Sequence, residues 1–474
     1  MANISSYHDS LTTGTTTVRK TVEGFLTRIT ETANLNAFLE VFADEALAAA
    51  DAVDQKIKEG KPLGKLAGVV VAIKDNICYQ GHKAQGCSVI LSGFESLYSA
   101  TAVEKLLAED AIIIGRCNCD EFAMGSSNEN SAFGNVLNPI DITRVPGGSS
   151  GGSAVAVAAD LCHVSLGSET GGSVRQPASF CGLVGLKPTY GRVSRHGLMA
   201  FASSFDQIGP FAKNVEDAAL VLEVISGNDE FDSTASSRPV ADLRPKPMGK
   251  KRFAYLKASV ETEALDPAIK RRFLEVVEQM KADGHTVEAV DFDLLDHLIP
   301  TYYILTTAEA SSNLSRYDGM RYGYRSAKAT DLESTYKLSR SEGFGPEVKR
   351  RIMLGTFVLS AGYYDAYYAK AQRVRRMLKN TVDVLFTNYD MILCPTTPDV
   401  AFRFGENSDD PIKMYLEDIY TVLANLVGIP AISVPMGEKN GLPFGIQIMA
   451  DGFEEAQMFA SAKYIMDDCY QKIV

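Results

Sequence analysis

The chain has 474 residues, of which 46% are apolar and 22% are charged, a balance that excludes a disordered or fibrous protein. The formal net charge of −12 argues against a broad nucleic-acid-binding surface, because phosphate contacts need clustered Lys and Arg. No apolar run approaches the ~20 residues of a membrane helix, and the N-terminal segment lacks the pattern of a signal peptide. Eight cysteines without zinc-ligand spacing predict buried free thiols in a reducing cytoplasm, and no metal site.

Helical and strand patterns alternate along the chain. Apolar residues at helical spacing predict helices at 16–32, 42–57, 102–109, 154–159, 215–225, 267–280, 301–314, 346–379 and 414–426. Short apolar runs predict buried strands at 69–73, 111–114, 161–166, 253–256, 286–290, 391–394, 431–434 and 444–449. The fold class predicted from this alternation is α/β, with a large mixed β-sheet between layers of helices.

One segment, 227–250, is rich in Ser, Asp, Pro and Arg and shows little periodicity. It is predicted to be a linker or a surface excursion. Because strands are predicted on both sides of it, the sequence favours a single domain over residues 1–474. A second turn-rich segment, 182–195, is predicted to be a loop.

Two clusters of Gly and Ser, at 147–153 and 167–173, are separated by a predicted helix and a predicted strand. Glycine lets a ligand approach the main chain, and hydroxyl groups on such loops can be nucleophiles or proton relays. The two clusters therefore predict one site built from both. A polar loop at 118–135 is predicted to line the same cleft.

The first cluster contains GxSxG, the nucleophile elbow of serine hydrolases, but no strand directly precedes the serine as an elbow requires. Neither cluster fits a phosphate-binding pattern. A serine activated by a lysine remains, and Lys74 follows the apolar strand at 69–73. Burial there would lower the pKa of the amine, as a general base requires. A solvated lysine at a strand end is the alternative.

Three runs together resemble the amidase signature family closely: VAIKDN at 71–76, GGSSGGSA at 147–154 and GSETGGSVRQPASFCG at 167–182. The resemblance implies that Lys74 is the base, Ser149 the bridging serine and Ser173 the nucleophile, with a cis peptide bond between Gly148 and Ser149. It also implies an oxyanion hole formed by backbone N–H groups, those of Thr170, Gly171, Gly172 and Ser173. Asp75 and Arg175 are expected to support these residues through hydrogen bonds.

Two later runs, 316–323 and 344–376, resemble the tRNA-dependent amidotransferases of this family, and the similarity covers nearly the whole chain. It implies that Arg351 holds the α-carboxylate of a glutamine substrate, that Asp418 holds its α-ammonium and that Tyr302 lines the same pocket. A guanidinium fork suits a carboxylate, and an aspartate suits an ammonium. Without the resemblance, either Arg350 or Arg351 could equally form a surface ion pair with Glu347.

The function implied is that of a glutaminase that supplies ammonia for converting Glu-tRNA(Gln) to Gln-tRNA(Gln), Asp-tRNA(Asn) to Asn-tRNA(Asn), or both. The implied partners are the B and C subunits of an amidotransferase heterotrimer, with aminoacyl-tRNA bound mainly by the B subunit. No cofactor is expected on this chain, since ATP and Mg would be used by the partner subunit. A cytoplasmic location without membrane contact is expected. A free-standing amidase for another small amide and an inactive scaffold are the alternatives.

Overall fold

The computed structural model describes residues 3–407 and 411–473. Within these residues one mixed sheet contains the following strands: β1 (Phe38–Val41), β2 (Val70–Lys74), β3 (Ile112–Cys117), β4 (Val164–Glu169), β5 (Val184–Lys187), β6 (Gln207–Ala212), β7 (Arg252–Leu256), β8 (Thr286–Val290), β9 (Met391–Pro395), β10 (Ala431–Lys439) and β11 (Leu442–Ala450).

The strands lie in the order β1-β3-β2-β4-β6-β5-β10-β11-β9-β7-β8. Strand β2 is parallel to β3 and β4, and β7 is parallel to β8 and β9. The remaining neighbours are antiparallel. Parallel and antiparallel pairs in one sheet confirm the predicted α/β fold with a mixed sheet.

The helices of the described residues are α1 (Ile4–Thr12), α2 (Val18–Glu31), α3 (Ala43–Lys58), α4 (Thr101–Ala108), α5 (Gly151–Ala158), α6 (Arg175–Phe180), α7 (Val215–Ile225), α8 (Lys257–Glu261), α9 (Pro267–Ala282), α10 (Leu298–Asn313), α11 (Leu332–Gly343), α12 (Pro346–Leu359), α13 (Tyr368–Asn388), α14 (Pro411–Leu416), α15 (Val422–Val427), α16 (Glu455–Lys463) and α17 (Tyr470–Ile473). Helix α9 begins as predicted, because the Asp266 side chain accepts a hydrogen bond from Ala268 N and Pro267 occupies the first helical position.

The sheet is covered on both faces, as strand β2 illustrates. All five of its residues are buried. Val71 and Ile73 belong to one apolar core cluster, whereas Val70 and Ala72 belong to the other. Successive side chains of a strand point to opposite faces, so the two clusters are the two layers of the core. A lysine that continues this strand, Lys74, is consequently carried into the interior.

Several predicted elements need correction. The helix predicted at 414–426 is wrong in its middle, because the chain turns at 417–421 between α14 and α15. The helix predicted at 346–379 is interrupted at 360–367, between α12 and α13. The loop predicted at 182–195 contains strand β5, and strands β1 and β6 were not predicted. These strands are short or contain Gly and Pro, so their apolar runs are incomplete.

The segment at 227–250 contains neither a helix nor a strand, and most of it is exposed. Strand β6 precedes this segment in the chain and β7 follows it, and both strands lie in the same sheet. No helix among the described residues is both long and apolar enough to cross a bilayer.

Candidate active site

Lys74 lies at the end of β2 and reaches the first Gly/Ser cluster. Its Nζ is 2.7 Å from Ser149 Oγ, 2.9 Å from Ser150 Oγ and 3.2 Å from the carbonyl oxygen of Ser168. Lys74 and Ser149 are both fully buried. The structure therefore brings the predicted base and the predicted bridging serine into hydrogen-bond contact, although they are 75 residues apart in sequence.

The three partners of Lys74 fix where its lone pair points. The carbonyl of Ser168 can only accept a hydrogen bond, and the Ser150 hydroxyl donates its own proton to that same carbonyl at 3.0 Å. Ser150 Oγ must therefore accept from Lys74. A neutral amine has two N–H groups, and Ser150 and Ser168 use both. The remaining lone pair faces Ser149 Oγ and can accept its proton.

Burial is the main influence on the charge of Lys74. It lowers the pKa of the amine from its ordinary value, while the nearby Cys119, Asp120 and Cys87 side chains act weakly in the opposite direction. No carboxylate forms an ion pair with Lys74 among the described residues. A buried amine without a counter-ion is stable in its neutral form, which is the form that can act as a base.

The first Gly/Ser loop is fixed from several sides. The peptide bond between Gly148 and Ser149 is cis, as the resemblance implies. Gly148 N donates to Gln176 Oε1 at 3.0 Å, and the carbonyl oxygen of Ser149 accepts from Asp120 N at 3.1 Å. Ser150 N donates to the carbonyl oxygen of Ser173 at 3.2 Å, which joins this loop to the second Gly/Ser cluster.

Ser173 is the most accessible member of the predicted triad, with a relative exposure of 9% against 0% for Lys74 and Ser149. It lies on the turn between β4 and α6. Its hydroxyl makes no hydrogen bond to Ser149 among the described residues. The structure thus places the two serines on adjoining loops, with only Ser173 facing accessible space.

A buried ion pair holds the turn that carries Ser173. Glu169 Oε2 accepts from Val174 N at 3.2 Å and from Arg175 N at 3.3 Å, so one carboxylate spans the turn. Arg175 Nη2 lies 2.6 Å from Glu169 Oε1, and both side chains are fully buried. Although burial raises the pKa of Glu169, Arg175 beside it holds that pKa below its ordinary value. Arg175 also donates to Asn425 Oδ1 at 2.6 Å.

The four backbone N–H groups at 170–173 make no hydrogen bond to any acceptor among the described residues. The backbone of this turn is fixed through the carbonyl oxygen of Gly171, which accepts a hydrogen bond from Thr421 Oγ1 at 2.6 Å. A Cβ at Gly171 would lie 2.6 Å from Cζ of Tyr302, so only glycine fits there. Unpaired donors on a fixed turn beside a serine can stabilise a developing oxyanion.

Tyr302 and Tyr303 join this turn to the predicted substrate residues. Tyr302 Oη lies 2.7 Å from Thr170 Oγ1. The ring of Tyr303 lies 5.0 Å from that of Tyr302, and its hydroxyl donates to Asp418 Oδ2 at 3.4 Å. The guanidinium of Arg351 lies 5.2 Å from the centre of the Tyr303 ring. Two consecutive tyrosines of α10 therefore contact the serine turn and the charged residues together.

Arg351 and Asp418 are both nearly inaccessible, at 4% and 6% exposure. Arg351 Nε donates to Glu347 Oε1 at 2.8 Å. Asp418 Oδ2 accepts from Ser126 Oγ at 2.8 Å. Burial raises the pKa of Asp418 to about 7, opposed by the Ser126 hydrogen bond and by the charge of Arg351. An ammonium ligand would supply the counter-charge that this carboxylate needs.

A cavity of about 340 Å³ lies against Arg351, and neither Asp418 nor Ser173 is among the residues that line it. Its lining comes from the predicted cleft loop, from α12 and from the segment around α14, and includes Ser127, Glu129, Arg350, Arg351 and Tyr415. The structure therefore opens the pocket on the side of Arg351. Arg350 also lines the cavity, but its side chain is 52% exposed, against 5% for Arg351.

Sequence reasoning missed most of the residues that hold these groups in place: Asp120, Ser126, Glu169, Gln176, Tyr303 and Thr421. All of these except Glu169 are recruited through a contact that joins distant parts of the chain, such as Ser126 with Asp418. Asp75, which was predicted to give support, forms an ion pair with Arg116 and accepts from Cys87 N at 2.6 Å. The signal available for Glu169 was its position, four residues before Ser173 in the same cluster.

The amidase family model matches residues 20–459. Among curated relatives, the A subunit of glutamyl-tRNA(Gln) amidotransferase from Chlorobium limicola is 51% identical over 470 residues, covering 98% of this chain and 99% of the relative. The crystal structure of the A subunit of glutamyl-tRNA(Gln) amidotransferase from Thermotoga maritima matches with a TM-score of 0.74 and 44% identity, covering 86% of this chain and 85% of the other. The native peptide amidase from Stenotrophomonas maltophilia matches with a TM-score of 0.80 and 27% identity, covering 99% and 96%. The family match over most of the chain, together with a relative that shares half of its residues, shows that this chain belongs to the amidase family.

Proposed function

We propose that this chain is the glutaminase subunit of a tRNA-dependent amidotransferase. The observation that carries the proposal is that a buried arginine and a buried aspartate, Arg351 and Asp418, contact the same tyrosine, Tyr303. Its neighbour Tyr302 contacts the serine turn. Opposite charges at fixed positions suit the α-carboxylate and α-ammonium of a free amino acid. The names of the full-length relatives support glutamine as that amino acid.

The proposed reaction begins with proton transfer. Neutral Lys74 accepts the proton of Ser149 through its free lone pair, and Ser149 in turn accepts the proton of Ser173, to which it hydrogen-bonds in the substrate complex. Ser173 Oγ then attacks the side-chain amide carbon of glutamine. The backbone N–H groups at 170–173 stabilise the oxyanion that forms, and each well-placed donor contributes ~3–4 kcal/mol.

The tetrahedral intermediate collapses when its C–N bond breaks. The proton held by Lys74 returns through Ser149 to the leaving nitrogen, so ammonia departs and a γ-glutamyl ester remains on Ser173. Water attacks this ester, with Lys74 and Ser149 again accepting a proton. The C–O bond to Ser173 then breaks as that proton returns to Ser173 Oγ, and glutamate is released. Tyr302 lines the pocket between the ester and the charged residues.

The ammonia is proposed to serve a partner subunit, where ATP-activated Glu-tRNA(Gln), Asp-tRNA(Asn) or both would receive it. The B and C subunits complete a heterotrimer in this proposal, and aminoacyl-tRNA contacts mainly the B subunit, since this chain carries a net charge of −12. ATP and Mg belong to the partner. Among the described residues no group of three or more His, Cys, Asp or Glu could hold a metal ion. The proposed location is the cytoplasm, because aminoacyl-tRNA is used there.

We also propose one domain over residues 1–474, with 227–250 as an excursion on its surface. The support is the single sheet, in which strands from both sides of that segment take part.

The proposal is tested with the chain assembled with its partner subunits. The parent complex should release ammonia from glutamine, and mass spectrometry should detect a γ-glutamyl adduct on Ser173. Ser173→Ala should lose both. Ammonia release that survives this substitution would reject Ser173 as the nucleophile, and an adduct on another residue would name its replacement.

The substrate is tested by comparing an arginine of the cavity with one outside it. Arg351→Ala removes a buried guanidinium and should raise KM for glutamine by about 30- to 150-fold, since a hydrogen bond to a charged group contributes ~2–3 kcal/mol. Arg271→Ala is the control and should change KM by less than about threefold, because that side chain lies on α9 outside the cavity and is 74% exposed. Unchanged glutamine turnover by Arg351→Ala would favour a free-standing amidase for another small amide.

A further inference from the structure

Glu121 is a buried carboxylate that the proposed reaction does not use. It lies in the short 3-10 turn Glu121–Ala123 and is 3% exposed. Its two oxygens accept from Gly345 N, at 3.1 Å for Oε1 and 2.9 Å for Oε2. Ser88 Oγ also donates to Oε1. The residue therefore connects the predicted cleft loop to the start of α12, across 224 residues of sequence.

The start of α12 cannot satisfy its own backbone. Gly345 is the N-cap and has no side chain, and the residue three positions later, where a glutamate would reach back in a capping box, is Val348. Glu121 supplies the missing acceptor from a distant segment. Burial raises the pKa of Glu121 to about 7, and the positive end of the helix dipole favours its charged form. A Cβ at Gly345 would collide with Glu121 Oε2, so glycine permits this close approach.

The turn that carries Glu121 is held in an uncommon conformation. Phe122 and Ala123 have positive φ angles of 48° and 61°, which residues other than glycine adopt at a cost. The same turn is bonded to the catalytic loop, because Asp120 N donates to the carbonyl oxygen of Ser149 at 3.1 Å. Two consecutive acidic residues thus contact two different parts of the site: Asp120 the serine loop, and Glu121 the helix of Arg351.

Arg351 lies six residues after Gly345 on α12, a rise of about 9 Å. A change at the N-terminus of this helix shifts or rotates Arg351 relative to the serine turn. We propose that Glu121 is a positioning residue that fixes α12, and with it Arg351, for the α-carboxylate of the substrate. This role rests on the proposed function, because it assigns that carboxylate to Arg351.

The test compares two substrates in the chain assembled with its partner subunits: glutamine, and glutamine α-amide, which has no α-carboxylate. Hydrolysis of the side-chain amide is followed by chromatography of the products, so that kcat/KM is obtained for both. The variants are Glu121→Ala, Glu121→Gln and, as a matched control, Glu333→Ala. Glu333 is an acidic residue in the first turn of the neighbouring α11, with a side chain 77% exposed.

Glu121→Ala should lower kcat/KM for glutamine about tenfold, through KM and with kcat at saturation unchanged, while the α-amide is hydrolysed as before. Glu121→Gln keeps one oxygen that can accept from Gly345 N, so its kcat/KM for glutamine should fall only about threefold. Glu333→Ala should change neither substrate. If the Glu121→Ala chain does not assemble with its partner subunits, the test rests on Glu121→Gln, whose kcat/KM should fall for glutamine and not for the α-amide.

Equal losses for both substrates, a loss in kcat alone, or no loss would overturn this role of Glu121, since a general disturbance of the fold does not distinguish a carboxylate from an amide. A parent complex that hydrolyses neither substrate would instead overturn the proposed function, and this role with it.

Discussion

Ser150 offers a direct test of how Lys74, the proposed base, is oriented. Its hydroxyl accepts from Lys74 at 2.9 Å and donates to the carbonyl of Ser168 at 3.0 Å. Ser150→Ala removes these two hydrogen bonds, and the one that Ser168 N donates to Ser150 Oγ at 3.3 Å, in a fully buried place. One N–H of Lys74 then has no acceptor, and the amine can rotate its lone pair away from Ser149.

The magnitude follows from the groups left unpaired. A buried donor without a partner costs ~1–3 kcal/mol. If Lys74 rotates so that this N–H finds another acceptor, its lone pair turns away from Ser149. The same free energy is then needed to turn the lone pair back before Ser149 can give up its proton, and kcat falls by about 5- to 150-fold. KM should stay within about twofold, because Ser150 does not contact Arg351 or Asp418.

Ser153→Ala is the matched control for this experiment. Ser153 belongs to the same Gly/Ser cluster, is equally buried, and donates to the carbonyl of Leu166 at 3.0 Å without contacting Lys74. Both variants should lose ~1–2 kcal/mol of unfolding free energy in urea. Only Ser150→Ala should lose kcat for ammonia release at saturating glutamine. A full kcat in Ser150→Ala, or equal losses in the two variants, would refute the orientation of Lys74 inferred from its hydrogen bonds.

Two further predictions concern buried carboxylates. Burial raises the pKa of Asp418 to about 7, and a bound ammonium stabilises its charged form, so glutamine binding should weaken about tenfold per pH unit below pH ~7 and should release protons. Calorimetry on Ser173→Ala measures both, and a Kd that is constant between about pH 5.5 and 8 would contradict the expectation. Glu169→Gln leaves the Arg175 charge buried without its partner and should lower the unfolding free energy in urea by ~3–5 kcal/mol, against less than ~0.5 kcal/mol for the exposed control Glu333→Gln. A loss below ~1 kcal/mol in Glu169→Gln would show that the ion pair does not stabilise the serine turn.

The elements that sequence reasoning predicted best are those with a complete local signal. Strand β2 is an unbroken apolar run, and α7 has both apolar periodicity and an Asn214 cap whose side chain accepts from Asp217 N. Strand β5 contains a Gly among its four residues, and β6 contains a Gly and a Pro among its six. Their pairing partners are distant in the chain. Local patterns cannot reveal such strands, because the sheet rather than the segment determines them.

The residues of the site also divide into those that local sequence reveals and those that depend on packing between distant segments. The Gly/Ser clusters and Lys74 could be singled out from residue type alone, since each is unusual for its surroundings. Periodicity could not separate Arg350 from Arg351, because the face of α12 that is buried depends on its packing against α10. The turn at 417–421 was hidden for a related reason: Thr421 bonds to the serine turn, and that contact interrupts a segment with helical periodicity.

The adjacency of Tyr302 and Tyr303 has a consequence for which amide the enzyme can accept. Because these two residues are neighbours on α10, one helix contacts both the serine turn, through Tyr302, and the residues assigned to the charged end of the substrate, through Tyr303. Asparagine is shorter than glutamine by one methylene group. With its charged groups held by the same residues, its amide should reach less far toward Ser173, so we expect the site to favour glutamine over asparagine.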